Sequence, residues 1–223
     1  MQENNKIHII TPFYRKHLLK TLIHYLEPMN IEWHPVCDLV DIEAFENNNR
    51  EWIQPLLCSS FKPGEQCYRK LNDFIDNTVI IDNDYYCFNC DDDMYEPDFF
   101  NNIRNQTSNI LIVSMVRGNS ITHNPDIINH PNFPLIQKSL NDIRVCNIGL
   151  QQYIIKGLIL KQMRFGITRD IDDGLFAEEL KRKFPNDIKF LSDCFVFFNY
   201  FEPGRYTNND WKIKSHWELP KII

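Results

Sequence analysis

The sequence predicts an α/β domain, a mixed and largely parallel central sheet flanked by helices, and three observations carry that prediction. Short apolar runs of strand length alternate with stretches whose apolar residues recur at helical spacing. Residues 109–116 are apolar almost without a break, as a strand covered on both faces must be. A third run, ending at Cys90, stops at three consecutive aspartates, the pattern of a buried strand that delivers carboxylates to a sheet edge. At 223 residues the chain has room for one large domain with a substantial core, and no linker or repeat divides it, so 1–223 is read as a single unit.

The elements follow in order. Residues 6–11 read as a buried first strand, with Pro12, Phe13, Tyr14 and Arg15 as the loop after it. Leu18, Leu19, Leu22, Ile23 and Leu26 lie on one helical face, and the helix is expected to end before Pro28. Residues 31–37 give a second strand that closes a βαβ unit and ends at Asp38. Residues 39–63 show loop signals and at most a short strand between Trp52 and Leu57. A helix over 65–77 places Tyr68, Leu71, Phe74 and Ile75 together, and a strand over 85–90 leads to the aspartates. Pro97 suits the first turn of a helix reaching about Asn105. The strand over 109–116 comes next. Pro125, Pro131 and Pro134 mark 118–141 as a long surface loop of the kind that binds substrates. Further strands are expected over 147–155 and 188–200, with an amphipathic helix opening at Asp172-Asp173-Gly174 between them.

Composition narrows the function. Hydrophobic residues at 43% and aromatics at 13% exclude a disordered chain, and a net charge of −6 argues against a nucleic-acid-binding surface. The start lacks a secretory pattern, and no apolar run reaches the ~18 residues of a membrane span, so the expectation is a cytoplasmic protein with no integral membrane segment. Seven cysteines at irregular spacing fit reduced thiols. Cys87-x-x-Cys90 has no matching second pair for zinc and lies inside a strand-like run, so both read as strand cysteines.

The acidic triplet is where chemistry concentrates. At the end of a strand Asp91 and Asp93 point the same way, and hard oxygen ligands of this kind suit Mn2+ or Mg2+ held against a diphosphate. An acidic run is also what a solvated turn looks like. An EF-hand loop fails for want of the central glycine and terminal glutamate.

A first-strand loop with Thr11 and Pro12, an Asp at the end of strand two, the Asp91-Asp92-Asp93-Met94-Tyr95 signature and a later Asp172-Asp173-Gly174-Leu175-Phe176 occur in an order that resembles a GT-A-fold glycosyltransferase, similar to family 2. The likeness spans roughly residues 6–200. It implies a nucleotide-sugar-binding part over about 1–105 and an acceptor and catalytic part over about 106–223. It further implies that Thr11, Pro12, Tyr14 and Arg15 form the nucleotide loop, that Asp38 meets the base, favouring a UDP-sugar, and that Arg69 and Asn72 add polar contacts from the preceding helix. Asp91 approaches the ribose or the metal and Asp93 ligates the metal. Asp92 is grouped with the nucleotide contacts but expected to point elsewhere, and His216 is a further candidate ligand. Asp172 or Asp173 is the base that takes the proton of a glycan or other hydroxyl acceptor, with inversion. The family's usual Glu-Asp is Asp-Asp here, which leaves the choice between them open. Two other functions compete: a nucleotidyltransferase, which usually carries a glycine-rich basic loop after strand one, and a catalytically degenerate carbohydrate-binding module.

Overall fold

Eight strands form one mixed sheet in the computed structural model, which describes residues 5–46, 48, 50–58, 66–96, 98–117, 135–167 and 171–198. They are β1 (Ile7–Pro12), β2 (Glu32–Cys37), β3 (Leu56–Leu57), β4 (Tyr85–Phe88), β5 (Met94–Tyr95), β6 (Ile110–Arg117), β7 (Tyr153–Lys156) and β8 (Ile188–Phe198). Their spatial order is β3-β2-β1-β4-β7-β6-β8-β5. β1 pairs in parallel with β2 and β4, and β2 with β3. β7 is antiparallel to both β4 and β6, β8 is parallel to β6, and β5 is antiparallel to β8. The carboxyl ends of β1, β2, β4 and β6 and the amino end of β7 therefore share one edge.

Side-chain alternation divides the core into two layers. Ile7, Ile9, Trp33, Tyr85, Cys87, Leu111 and Ile154 face α1 (Leu19–Leu26), Phe45 of α2 (Leu39–Glu46) and α4 (Phe99–Arg104). Ile10, Val36, Tyr86, Phe88, Ile110, Ile112, Tyr153 and Ile155 face α3 (Gln66–Asn77), α5 (Gly157–Leu160) and α6 (Asp172–Lys183). Each fully buried aliphatic or aromatic side chain in these layers contributes roughly 1.5–3 kcal/mol. The α/β class and the mixed sheet thus agree with the sequence reading. No helix among the described residues is long and apolar enough to cross a membrane.

Three local expectations differ. Residues 39–46 are helical, yet Leu39 and Val40 are 68% and 70% exposed, so no apolar stripe marks the helix. The strand expected over 147–155 is cut to Tyr153–Lys156 because a single 3-10 turn, Leu150–Gln152, precedes it. The Gln152 carboxamide oxygen accepts the Gly149 N–H at 3.0 Å and stabilises that turn. Pro28 lies within a 3-10 turn, Glu27–Met29, that extends α1 until Asn30 adopts a left-handed φ of 51°. Of the loop expected over 118–141, residues 118–134 lie outside the described residues, as does Pro97. Leu135 bridges Met115 antiparallel, and 140–142 form a 3-10 turn.

Candidate active site

The loop leaving β1 is shaped by a carboxylate from β4's exit. Tyr14 and Arg15 donate their backbone N–H groups to Asp91 Oδ2, each at 2.8 Å, and the Arg15 guanidinium binds Asp91 Oδ1. Asp91 is fully buried, so these contacts satisfy a charge that has no water. Arg15 Nη2 also reaches Asp92 at 3.2 Å.

The period-two argument that paired Asp91 with Asp93 requires extended backbone through residue 93. The strand instead stops at Phe88, and a turn closes when the Asp93 N–H donates to the Cys90 carbonyl at 3.2 Å. The turn rotates Asp91 back to the β1 loop. It gathers Cys90, Asp92 and Asp93, whose ligand atoms lie within 4.8 Å of one another. The metal-capable set is thus Asp92 and Asp93 with Cys90, and Asp91 anchors the neighbouring loop. Cys90, missed by the sequence reading, touches the Cys67 thiol; that contact, burial and the charge of Asp93 hold the Cys90 thiol well above its ordinary range, leaving it neutral.

Gln151, at the edge-facing end of β7, donates its carboxamide to Asp93 and, at 3.5 Å, to Cys90 Sγ. Its neighbour Leu150 donates a backbone N–H to the Asp173 carboxylate, which also accepts the Gly174 N–H at 2.7 Å. Residues 150 and 151 therefore tie the acidic turn after β4 to the acidic first turn of α6. Burial leads the causes that raise the Asp173 carboxyl above its ordinary range, and adjacent Asp172 adds to it. Asp172 is buried against Gly166, where a Cβ would stand 2.6 Å from its Cγ. An aromatic stack seats this helix end: Phe176 lies 4.0 Å from Phe165 and 5.3 Å from Tyr153, ring centre to ring centre. The Tyr153 hydroxyl is fully buried and has no hydrogen-bond partner among the described residues.

The other sequence candidates sit as follows. Thr11 accepts the Trp33 indole N–H at 3.0 Å inside β1, and Pro12 ends that strand. Asp38, partly exposed, lies 3.3 Å from Lys70 Nζ and accepts the Cys58 thiol. Lys70, between Arg69 and Asn72, is the buried cation at this edge that sequence reasoning passed over. Fully buried, it donates to the Phe13 carbonyl at 2.9 Å and stands 3.9 Å above the Tyr14 ring centre. Arg69 is half-buried on the same helix. Asn72 exchanges two 2.9 Å hydrogen bonds with the Phe165 backbone, beside the first turn of α6. His216 lies outside the described residues.

No protein-family model matches this chain, and no curated protein sequence matches it either.

Proposed function

We propose that this chain is a metal-dependent glycosyltransferase of GT-A type that moves one sugar from a nucleotide-sugar, a UDP-sugar favoured, to a hydroxyl of a glycan or other acceptor with inversion. The observation that carries the reading is the meeting of three parts at one sheet edge. The β1 exit loop grips Asp91, the turn after β4 gathers Cys90, Asp92 and Asp93, and Leu150-Gln151 joins that turn to Asp173. Open α/β sheets bind ligands at the carboxyl ends of their strands.

Asp92 and Asp93 would hold the ion, with Cys90 beside them. Two carboxylates suit Mn2+ or Mg2+, and the neutral Cys90 thiol beside them adds no charge. When bound, the ion neutralises charge on the departing nucleoside diphosphate. Asp38 accepts the imide N–H of uracil, and Tyr14 and Arg15 line the nucleotide loop whose shape Asp91 and Lys70 maintain. Asp173 takes the acceptor hydroxyl's proton; burial raises its carboxyl above the ordinary range, which makes the carboxylate a stronger base than a free aspartate. Asp172, buried behind it, fixes the helix end.

Thermal-shift measurements with UDP, GDP and their sugars test the proposal, because a ligand bound only to the native state at 100 times its Kd stabilises it by about 2.7 kcal/mol. UDP is expected to raise the transition only with Mn2+ present, and Asp93→Asn to remove the rise. Absence of nucleoside diphosphate binding in the presence of Mn2+ overturns it.

A further inference from the structure

The opposite edge of the sheet carries a second constellation. The parallel register sets His8 beside Glu32, and His34, two residues on, points to the same α3-side face. His8 Nδ1 lies 2.9 Å from His34 Nε2 and 3.4 Å from Glu32 Oε2, and each of the three residues offers a ligand atom within 4.8 Å of the other two. Both imidazoles are buried. The group lines a cavity of about 240 Å³ walled by Phe74, Thr78, Ile81 and Tyr86.

We propose that His8, Glu32 and His34 form a binding site for a divalent ion of the zinc–cobalt class, separate from the acidic edge. The ligand chemistry fits, since two imidazoles and one carboxylate are borderline donors that such ions favour over Mg2+. The spacing fits too. Ligand bonds of ~2.0–2.1 Å in a tetrahedron put donor atoms about 3.3 Å apart. The His8–Glu32 separation already has that value, and the His8–His34 pair needs to open by only about 0.4 Å.

The surrounding groups are arranged as for a ligated histidine. Asp84 Oδ2 stands 3.1 Å from His8 Nε2, which keeps the proton there and turns the Nδ1 lone pair toward His34 and Glu32. Lys6 Nζ holds Glu32 Oε1 at 2.5 Å, while Oε2 faces His8 and accepts the Gln54 carboxamide N–H at 3.4 Å. On binding, the neutral His34 ring presents Nε2 unprotonated and carries its one proton on Nδ1, so both imidazoles ligate as neutral rings. The fourth position opens on the cavity, with room for a water. The ion would bolt β1 to β2 at the edge remote from the candidate active site.

Cobalt(II) titration of the chain carrying Asp92→Asn and Asp93→Asn, so that the acidic turn does not compete, provides the test. The visible absorption of four-coordinate cobalt is expected at one equivalent, to weaken roughly 10–100-fold in affinity with Asp84→Asn added, and to vanish with His34→Gln added. Undiminished binding in the folded His34→Gln protein, or no cobalt bound before it, overturns the proposal. Should His34→Gln fail to fold, X-ray absorption of the zinc-loaded chain decides: scattering from two imidazoles supports the site, and its absence refutes it.

Discussion

Asp91→Asn removes one charge and no volume, and it separates an anchoring role from a metal-binding one. Asp91 Oδ2 accepts two backbone N–H groups at 2.8 Å, and Oδ1 faces Arg15. An asparagine can present its one oxygen to the backbone pair or to the guanidinium, and its NH2 group then meets a donor on the other side. The charge-assisted bond to Arg15 is lost, roughly 1.5–3 kcal/mol. Cutting one partner from a fully buried pair costs about 3–5 kcal/mol. The Arg15 side chain, however, is 30% exposed and can retreat toward Asp92, which keeps the expected loss near 2–3 kcal/mol. For a chain of this size that lowers the unfolding midpoint by about 5–10 °C. Calorimetry without metal reads the stability, and Mn2+ titration of the folded variant reads the affinity, expected to change little. A midpoint equal to wild type together with collapsed Mn2+ binding would refute the argument and return Asp91 to the ligand set.

Three other substitutions probe the α6 end. Asn72→Leu strips the Phe165 N–H and carbonyl of their partners and is expected to cost about 2–4 kcal/mol by urea unfolding; a loss below ~0.5 kcal/mol contradicts the clamp. Gly166→Ala drives a methyl into the Asp172 carboxylate, so about 1–3 kcal/mol of stability and most sugar transfer should disappear together, whereas retained transfer would mean Asp172 is free to move. Asp173→Asn should behave oppositely. A carboxyl raised above 3.8 in the native state costs stability above that raised value, and the cost fades as pH falls toward 3.8. The variant is therefore expected to match or exceed wild-type stability at pH 7, to lose that advantage in acid, and to slow transfer by about 10²–10⁴-fold. A variant that is less stable at pH 7 yet still active speaks against Asp173 as the base.

What was legible in the sequence was whatever depended on local period. β1, β4 and β6 announce themselves because both their faces are buried, and α1 and α3 because one face is. α2 escaped because Leu39 and Val40 face outward, which erases the periodic signal. The acidic turn was located correctly but its internal geometry was not, since the alternation rule fails once the chain turns at Cys90. Lys70 looked like one more polar residue on a helix; only the fold shows its ammonium group buried under the β1 loop. The pairing of His8 with Glu32 and His34 depends on the register of two strands, which neither strand records alone.

Charge at the acidic edge gives the proposed function its sharpest consequence. The cations described there are already engaged: Arg15 lies between Asp91 and Asp92, and Lys70 between the Phe13 carbonyl and Asp38. Asp93, Asp172 and Asp173 add further carboxyl groups. Two like unit charges 4 Å apart repel by about 4 kcal/mol at an effective dielectric constant near 20. A diphosphate approaching Asp92 and Asp93 unaided meets that repulsion more than once. A divalent ion reverses its sign, so ion and donor should bind as one linked event, each tightening the other by the same factor. Uridine, which has the base and ribose but no phosphate, lacks the group that feels the ion. Calorimetric titration should therefore find uridine binding indifferent to Mn2+ and UDP binding strongly dependent on it. Equal Mn2+ dependence for both would place the ion's effect on the loop rather than on the diphosphate.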